Sequence, residues 1–313
     1  MTNKEKRQKK VALGIDLGGT FIKSAIVDET GEILSEMQVR TPPGRDVHDI
    51  VGEIVKLIGH HQDRHPEIEG IGVGSPGLVD ETQAIIRLSP NFPDWNDVHL
   101  RSLIAKGTSL PVFLENDVNC FVLAEQRWGA GRKFQNVLGL ALGTGIGGGI
   151  VIDNKLYRGC SGAAGELGHI SVDLWGPKCN CGNRGCVERY LGRQWFIQAA
   201  RDILDNEEIK TPKQVSELAD SGDQTAIKFL EDRGFILGVA CTSLIHIFDP
   251  QSIVIGGGIA QCGEPLFRGI RKCIEKRAYA ILAEKVKILP AELGTNAGAM
   301  GAAAVAFEMG NIS

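Results

Sequence analysis

Apolar positions follow two rhythms along this chain, and the rhythms divide it into short strands and amphipathic helices. Residues 11–15 are a continuous apolar run ending on Asp16, the length and composition of a buried strand. The glycine turn Asp16-Leu-Gly-Gly-Thr20 leads into a second apolar run at 21–27. Asp28 to Gly31 reads as a turn, and a third strand begins at Ile33. Together these predict a β-meander around a glycine-rich hairpin. The period then changes: Val47, Ile50, Val51, Ile54, Val55 and Ile58 recur at helical spacing, predicting a helix over 47–61. Residues 70–73 are again a strand, entering the rigid turn Gly74-Ser-Pro-Gly77. A buried strand is expected at 111–115, followed by a helix from Asn116-Asp117 to about Trp128.

The second half is richer in helix. Helices are predicted at 194–204 and from Thr211-Pro212, an N-cap with proline at the first helical position. A long one follows at 223–248, apolar on one face, with Gly234 and Gly238 expected to weaken its middle. A strand at 252–255 enters Gly256-Gly257-Gly258, and a last strand lies at 285–289. Residues 296–309 read as a helix of glycine and alanine suited to close packing. No low-complexity linker divides the chain.

One pattern occurs twice. Gly139 to Gly145 is a strand and glycine turn, followed by an apolar run at 146–152 and Asp153. At an offset of 125 residues, Gly14, Leu17, Gly18 and Asp28 coincide with Gly139, Leu142, Gly143 and Asp153, while Asp16 coincides with Ala141. Such repetition points to a duplicated α/β domain. Glycines at a turn let backbone N–H groups approach an anion. The candidate phosphate-cradling residues are Gly18, Gly19, Thr20 and Lys23 in the first copy and Gly143, Thr144 and Gly145 in the second. Asp16 beside its cradle suits Mg²⁺ held against phosphate; a turn-capping carboxylate is the plainer alternative. The paired hairpins resemble those of the actin/hexokinase/Hsp70 superfamily. That resemblance implies duplicated RNase H-like domains in two lobes with a central cleft.

With 313 residues there is room for two lobes. A net charge of −4 gives no nucleic-acid footprint. The first ten residues are basic and read as a disordered, solvated tail, not the start of a signal peptide, since VALGI stops at Asp16. No 18-residue apolar stretch exists, so no membrane span is expected. Of eight cysteines, three cluster and five are scattered in mostly apolar settings, which fits reduced thiols in a cytoplasm. His48, His60, His61, His65 and His99 have no carboxylate or cysteine set nearby and read as surface histidines.

The clustered cysteines lie in the segment Glu166 to Glu188. Cys179, Cys181 and Cys186 stand at C-x-C-x₄-C spacing, with His169 ten residues before Cys179. Three thiolates and one imidazole make a closed tetrahedral set typical of structural Zn²⁺, with no open position for a catalytic water. Glu166 and Glu188 bracket the cluster, and His169 has a second nitrogen free to face a ligand.

E-x-G-H followed by C-x-C-G-x-x-G-C-x-E resembles the signature of the ROK family of bacterial sugar kinases, epimerase-linked kinases and sugar-responsive repressors, and the resemblance runs from about Val11 onward. It implies ATP-dependent phosphorylation of a hexose, with glucose O6 as the nucleophile and N-acetylmannosamine, fructose, mannose or allose as alternatives. The family's pattern would place Gly77, Asn91, Asn116, Asp117, Glu166, His169 and Glu188 at the sugar and Gly256, Gly257 and Gly258 near the adenosine end of ATP. It makes Asp117 the general base, against its plainer reading as a helix N-cap. Relatives that use polyphosphate mostly lack the cysteine cluster, which favours ATP, and homodimers or higher homo-oligomers are common among relatives. A small lobe is then expected over 11–116, completed by 296–313, and a large one over 117–295. A repressor of this family carries a winged helix-turn-helix ahead of the body; ten residues before the first strand are too few, and a retained Asp117 argues for chemistry.

Overall fold

The computed structural model describes residues 9–80, 84–89 and 91–310. Residues 1–8 of the expected basic tail lie outside them; of the remainder, Lys9 already pairs with Asp28 and Glu32. Two compact units build the chain. The first takes the described residues up to Trp128, Arg158–Ala163, and those from Thr295 onward; the second takes Gly129–Tyr157 and Ala164–Gly294.

In the first unit β1 (Val11–Leu17), β2 (Phe21–Asp28) and β3 (Ile33–Arg40) form the expected meander. After α1 (Val47–Gln62) comes β4 (Ile68–Ser75). The segment that patterning leaves as loop holds a small antiparallel sheet of β5 (Leu78–Asp80), β6 (Ile85–Leu88) and β7 (Asn96–Val98), then α2 (Leu100–Ala105). β8 (Val112–Asn116) and α3 (Asp117–Arg127) complete the run. The main sheet has the order β3-β2-β1-β4-β8, antiparallel through β1 and parallel beyond it. β1 is sandwiched, with Leu13, Ile15 and Leu17 fully buried on one face. The last helix (Ala297–Met309) lies against the other. Its backbone rests on the strands because those strands lack side chains there. A Cβ on Gly14 would stand 1.8 Å from the Ala299 carbonyl oxygen, and one on Gly72 would stand 1.7 Å from that of Ala302.

In the second unit β9 (Val137–Leu142), β10 (Ile146–Ile152) and β11 (Lys155–Leu156) form the second meander. Then come α4 (Glu188–Leu191), α5 (Arg193–Leu204), α6 (Pro212–Asp220) and α7 (Gln224–Phe248). α6 starts with a full capping box between Thr211 and Gln214. β12 (Ser252–Gly256), α8 (Glu264–Arg277), α9 (Ala280–Ala283) and β13 (Lys287–Pro290) follow. The sheet order β11-β10-β9-β12-β13, again antiparallel through β9 and parallel beyond, repeats the first sheet strand for strand. This repeat is the duplicated RNase H-like architecture. Gly234 does not interrupt α7. A Cβ there would stand 2.0 Å from the Leu266 carbonyl, and one on Gly269 of α8 would stand 2.1 Å from that of Glu231, so both glycines serve close helix contact.

Three expectations are corrected. The unit boundary falls after Trp128, not after Asn116, because α3 packs on β4, β8 and the last helix. The offset of 125 holds only to the end of the first strand of each hairpin. Leu17 pairs with Ile22 but Leu142 with Ile146, so the second turn is one residue shorter and the equivalent of Asp28 in the second copy is Ile152, not Asp153. His61 is not on the surface: it is 1% exposed, with Nε2 2.9 Å from Ser24 Oγ. Burial holds its pKa down at about 4. No described helix is long and apolar enough to cross a membrane.

Candidate active site

The first unit gathers the residues around the first glycine turn. Gly18 N–H donates to Phe21 O at 3.0 Å, and a Cβ on Gly18 would stand 2.8 Å from that oxygen, so the tight turn requires glycine. Thr41 clamps it from β3's far end: its N–H donates to Thr20 O at 3.0 Å and its Oγ1 to Gly18 O at 2.7 Å. The Asn91 side chain lies beside Gly19, about 3.8 Å from where a Cβ would be. Asp16 faces the start of the last helix, where a Cβ on Gly298 would stand 2.6 Å from Asp16 Oδ2. Burial raises the Asp16 pKa, and Lys23, its partner across the β1–β2 ladder, opposes that shift. Lys23 Nζ donates to Thr295 O at 3.1 Å.

The carboxylate proposed as base stands at the first residue of α3. Asn116 is the N-cap, its Oδ1 accepting from Val118 N at 2.9 Å and Asn119 N at 3.1 Å. Its Nδ2 donates to Gly77 O at 3.0 Å, so the capping residue also ties down the Gly74–Gly77 turn. Gly77 has φ 107°, and a Cβ there would stand 2.1 Å from Leu88 O. The capping alternative therefore belongs to Asn116, and Asp117 keeps its carboxylate in the first turn, where the helix dipole favours an anion. Glu115 lies beneath, 3% exposed, its Oε2 2.6 Å from Arg158 Nε, its Oε1 accepting from Asn116 N–H and Asn119 Nδ2. Burial, with the nearby charges of Glu115, Asp16 and Asp117, pushes the Cys120 thiol well up. Asp16 pairs with Gly74 across the β1–β4 ladder, and a Cβ on Gly74 would stand 3.1 Å from Cys120 Sγ and 3.6 Å from Asp117 Cα, so both acids flank one strand end.

The second unit holds the other cradle. Gly143 N–H donates to Gly145 O at 2.9 Å. Gly257 of the glycine stretch after β12 has φ 88°, and a Cβ there would stand 2.3 Å from Leu142 O, so this turn rests on the end of β9. A Cβ on Gly258, by contrast, would meet nothing within 4 Å. Glu188 heads α4, and its Oε2 accepts from Ile146 N–H at 3.0 Å.

The Cys/His residues do come together. The ligand atoms of His169, Cys179, Cys181 and Cys186 lie within 4.8 Å of one another. Cys181 and Cys186 sulfurs are 3.6 Å apart, and Cys179 Sγ is 3.7 Å from His169 Nδ1. Ligands at about 2.0–2.3 Å from a tetrahedral zinc ion stand about 3.3–3.8 Å from each other, so the donor types fit and these two pairs already have that spacing. The Asn183 backbone N–H lowers the Cys181 thiol pKa, whereas burial and the neighbouring sulfurs push Cys186 up to about 12. A bound dication would relieve that crowding of like charge. His169 Nε2 points to Glu166, 3.8 Å from its Oε2.

Residues 12–309 match the model of the ROK family. The chain belongs to the ROK family. A glucokinase of Thermotoga maritima is 36% identical over 95% of this chain and 97% of its own length. A xylose repressor of Bacillus spizizenii is 34% identical over 95% of this chain and 77% of its own. The crystal structure of a ROK family glucokinase from Streptomyces griseus with glucose and AMPPNP superposes with a TM-score of 0.79 at 34% identity, covering 95% of this chain and 99% of that one. In this ROK protein two site features escaped sequence reading. Thr41 lies 21 residues beyond Thr20 and carries no motif. The Glu115–Arg158 pair spans 43 residues, and only the fold brings its halves together.

Proposed function

We propose that this chain is an ATP-dependent hexose kinase that phosphorylates glucose at O6, with Asp117 as general base. The observation that supports the reading is Asp16 paired with Gly74 beside the Asp117 backbone, on the strand whose glycine turn Thr41 and Asn91 flank. The Streptomyces griseus relative was crystallised with glucose and AMPPNP, the two ligand classes this chain is proposed to bind. Asn91, Glu166, His169 and Glu188 supply donors and acceptors for ring hydroxyls, with the remaining N–H of Asn116. The turns at Gly18–Thr20 and Gly143–Gly145 offer backbone N–H groups to the phosphates, and Gly256–Gly258 the adenosine end. Asp117 accepts the hydroxyl proton as the sugar oxygen attacks the γ-phosphorus and ADP leaves. The transition state is loose, so the base chiefly orients the nucleophile. Magnesium, when bound on the Asp16 side, supplies charge neutralisation at the phosphates. Zinc at His169, Cys179, Cys181 and Cys186 supplies rigidity, and the chain's own work there is to hold Glu166 and His169 in one orientation.

A sugar-sensing regulator without catalysis is the second reading, and the xylose repressor relatives favour it. ADP release measured over a panel of hexoses, with and without a chelator, separates the two. Release with glucose, and about one zinc per chain by elemental analysis, is expected. Sugar binding without ADP release from any hexose would leave the regulator.

A further inference from the structure

The turn of the second hairpin is held from outside by the α4–α5 segment. Ile146 N–H donates to Glu188 Oε2 at 3.0 Å, and Arg193 N–H donates to Gly143 O at 3.0 Å. A Cβ on Gly192 would stand 3.2 Å from Thr144 O, so that residue too is closely approached. Gly145 is the matching accommodation: a Cβ there would stand 2.4 Å from Glu188 Oε2, so a bare α-carbon admits the carboxylate. Glu188 follows Cys186 by two residues, and Cys186 is buried in the Cys/His group. One carboxylate therefore joins the metal segment to the phosphate cradle of the same unit.

We infer that Glu188 is a positioning residue of the nucleotide hairpin as well as a hexose contact, and that it couples the two ligands. The inference rests on the kinase reading and deepens it. With Oε2 committed to Ile146 N–H, the turn N–H groups are arranged before phosphate arrives, which removes an ordering cost from nucleotide binding. A hexose hydroxyl donating to Oε1 would fix the carboxylate rotamer and tighten the Oε2 bond. Hexose then raises ATP affinity, and ATP raises hexose affinity by the same factor.

The test is calorimetric titration of the full chain with MgATP, first without sugar and then with saturating glucose. Glu188→Ala is expected to weaken sugar-free ATP binding about tenfold or more, the loss of one hydrogen bond to a charged group. It is also expected to abolish the enhancement by glucose. Glu188→Gln keeps an acceptor oxygen and is expected to retain most of the ATP affinity, and an unchanged urea midpoint for Glu188→Ala separates the lost hydrogen bond from lost fold stability. Should Glu188→Ala fail to fold, Glu188→Asp, one methylene short of Ile146, carries the same comparison. Unchanged sugar-free affinity in the folded variant, with ADP release from wild type intact, overturns the coupling alone. A wild-type chain that binds no ATP overturns the kinase reading and the coupling with it.

Discussion

Asp117 owes its position to three neighbours. Asn116 takes the cap, Glu115 anchors the strand end through Arg158, and the absence of a side chain at Gly74 leaves room beside the Asp117 backbone, 3.6 Å from where a Cβ would stand. Asp117→Asn removes the proton acceptor and keeps the shape. Turnover is expected to fall on the order of 10²–10⁴-fold with hexose affinity nearly unchanged, measured by steady-state ADP release and equilibrium sugar binding; unchanged turnover would remove Asp117 as base. The place of Asn116 and Asp117 at a strand end and helix start was legible from adjacent residues, whereas the base role came only with the family resemblance. Glu115 was not, because its role depends on a partner that is distant in sequence and near only in space.

At the scale of elements, glycine does the most to join helix to strand. Gly14 and Gly72 let the last helix lie directly on β1 and β4, and Gly301 meets the Cys120 carbonyl of α3, where a Cβ would stand 1.8 Å away. No rotamer change relieves a clash between a Cβ and a backbone carbonyl, so the elements themselves must separate. Gly72→Ala is therefore expected to destabilise the protein by about 3 kcal/mol or more, beyond ordinary overpacking. Urea unfolding checks this, and a wild-type midpoint would contradict the contact. Strands, hairpins and the large helices could be read from periodicity. The β5–β7 sheet could not, because its strands are three or four residues long and proline punctuates the segment. α8 did carry the signal, since Leu266, Phe267, Ile270, Cys273 and Ile274 recur at helical spacing and are buried, although no helix was expected there.

For the whole molecule, acid stability follows from what burial does to His61. This histidine is held neutral between α1 and Ser24 of β2, with His60, Arg64 and His65 adding positive charge around it. Its folded value near 4 lies below the ordinary 6.5, so the unfolded chain takes up the proton first as pH falls. That stabilisation is complete above pH 6.5, fades between about 6.5 and 4, and is gone below. It amounts to about 2 kcal/mol once solvent screening is allowed for. Asp28, lowered to about 2, gives way only in a more acid window. His61→Leu is expected to flatten the limb between pH 6.5 and 4 in thermal melts; an unaltered limb would assign it to other groups.

Local spacing alone determined the paired glycine hairpins, the Cys₃His set and the acid at the head of α3, because each is a short run whose chemistry depends on neighbours a few residues away. Tertiary structure decided where the units divide, that the hairpin turns differ by one residue, that His61 is buried, and that Glu188 reaches Ile146. These depend on register and packing between segments far apart in the chain, and periodicity carries no record of which distant surface a side chain will meet.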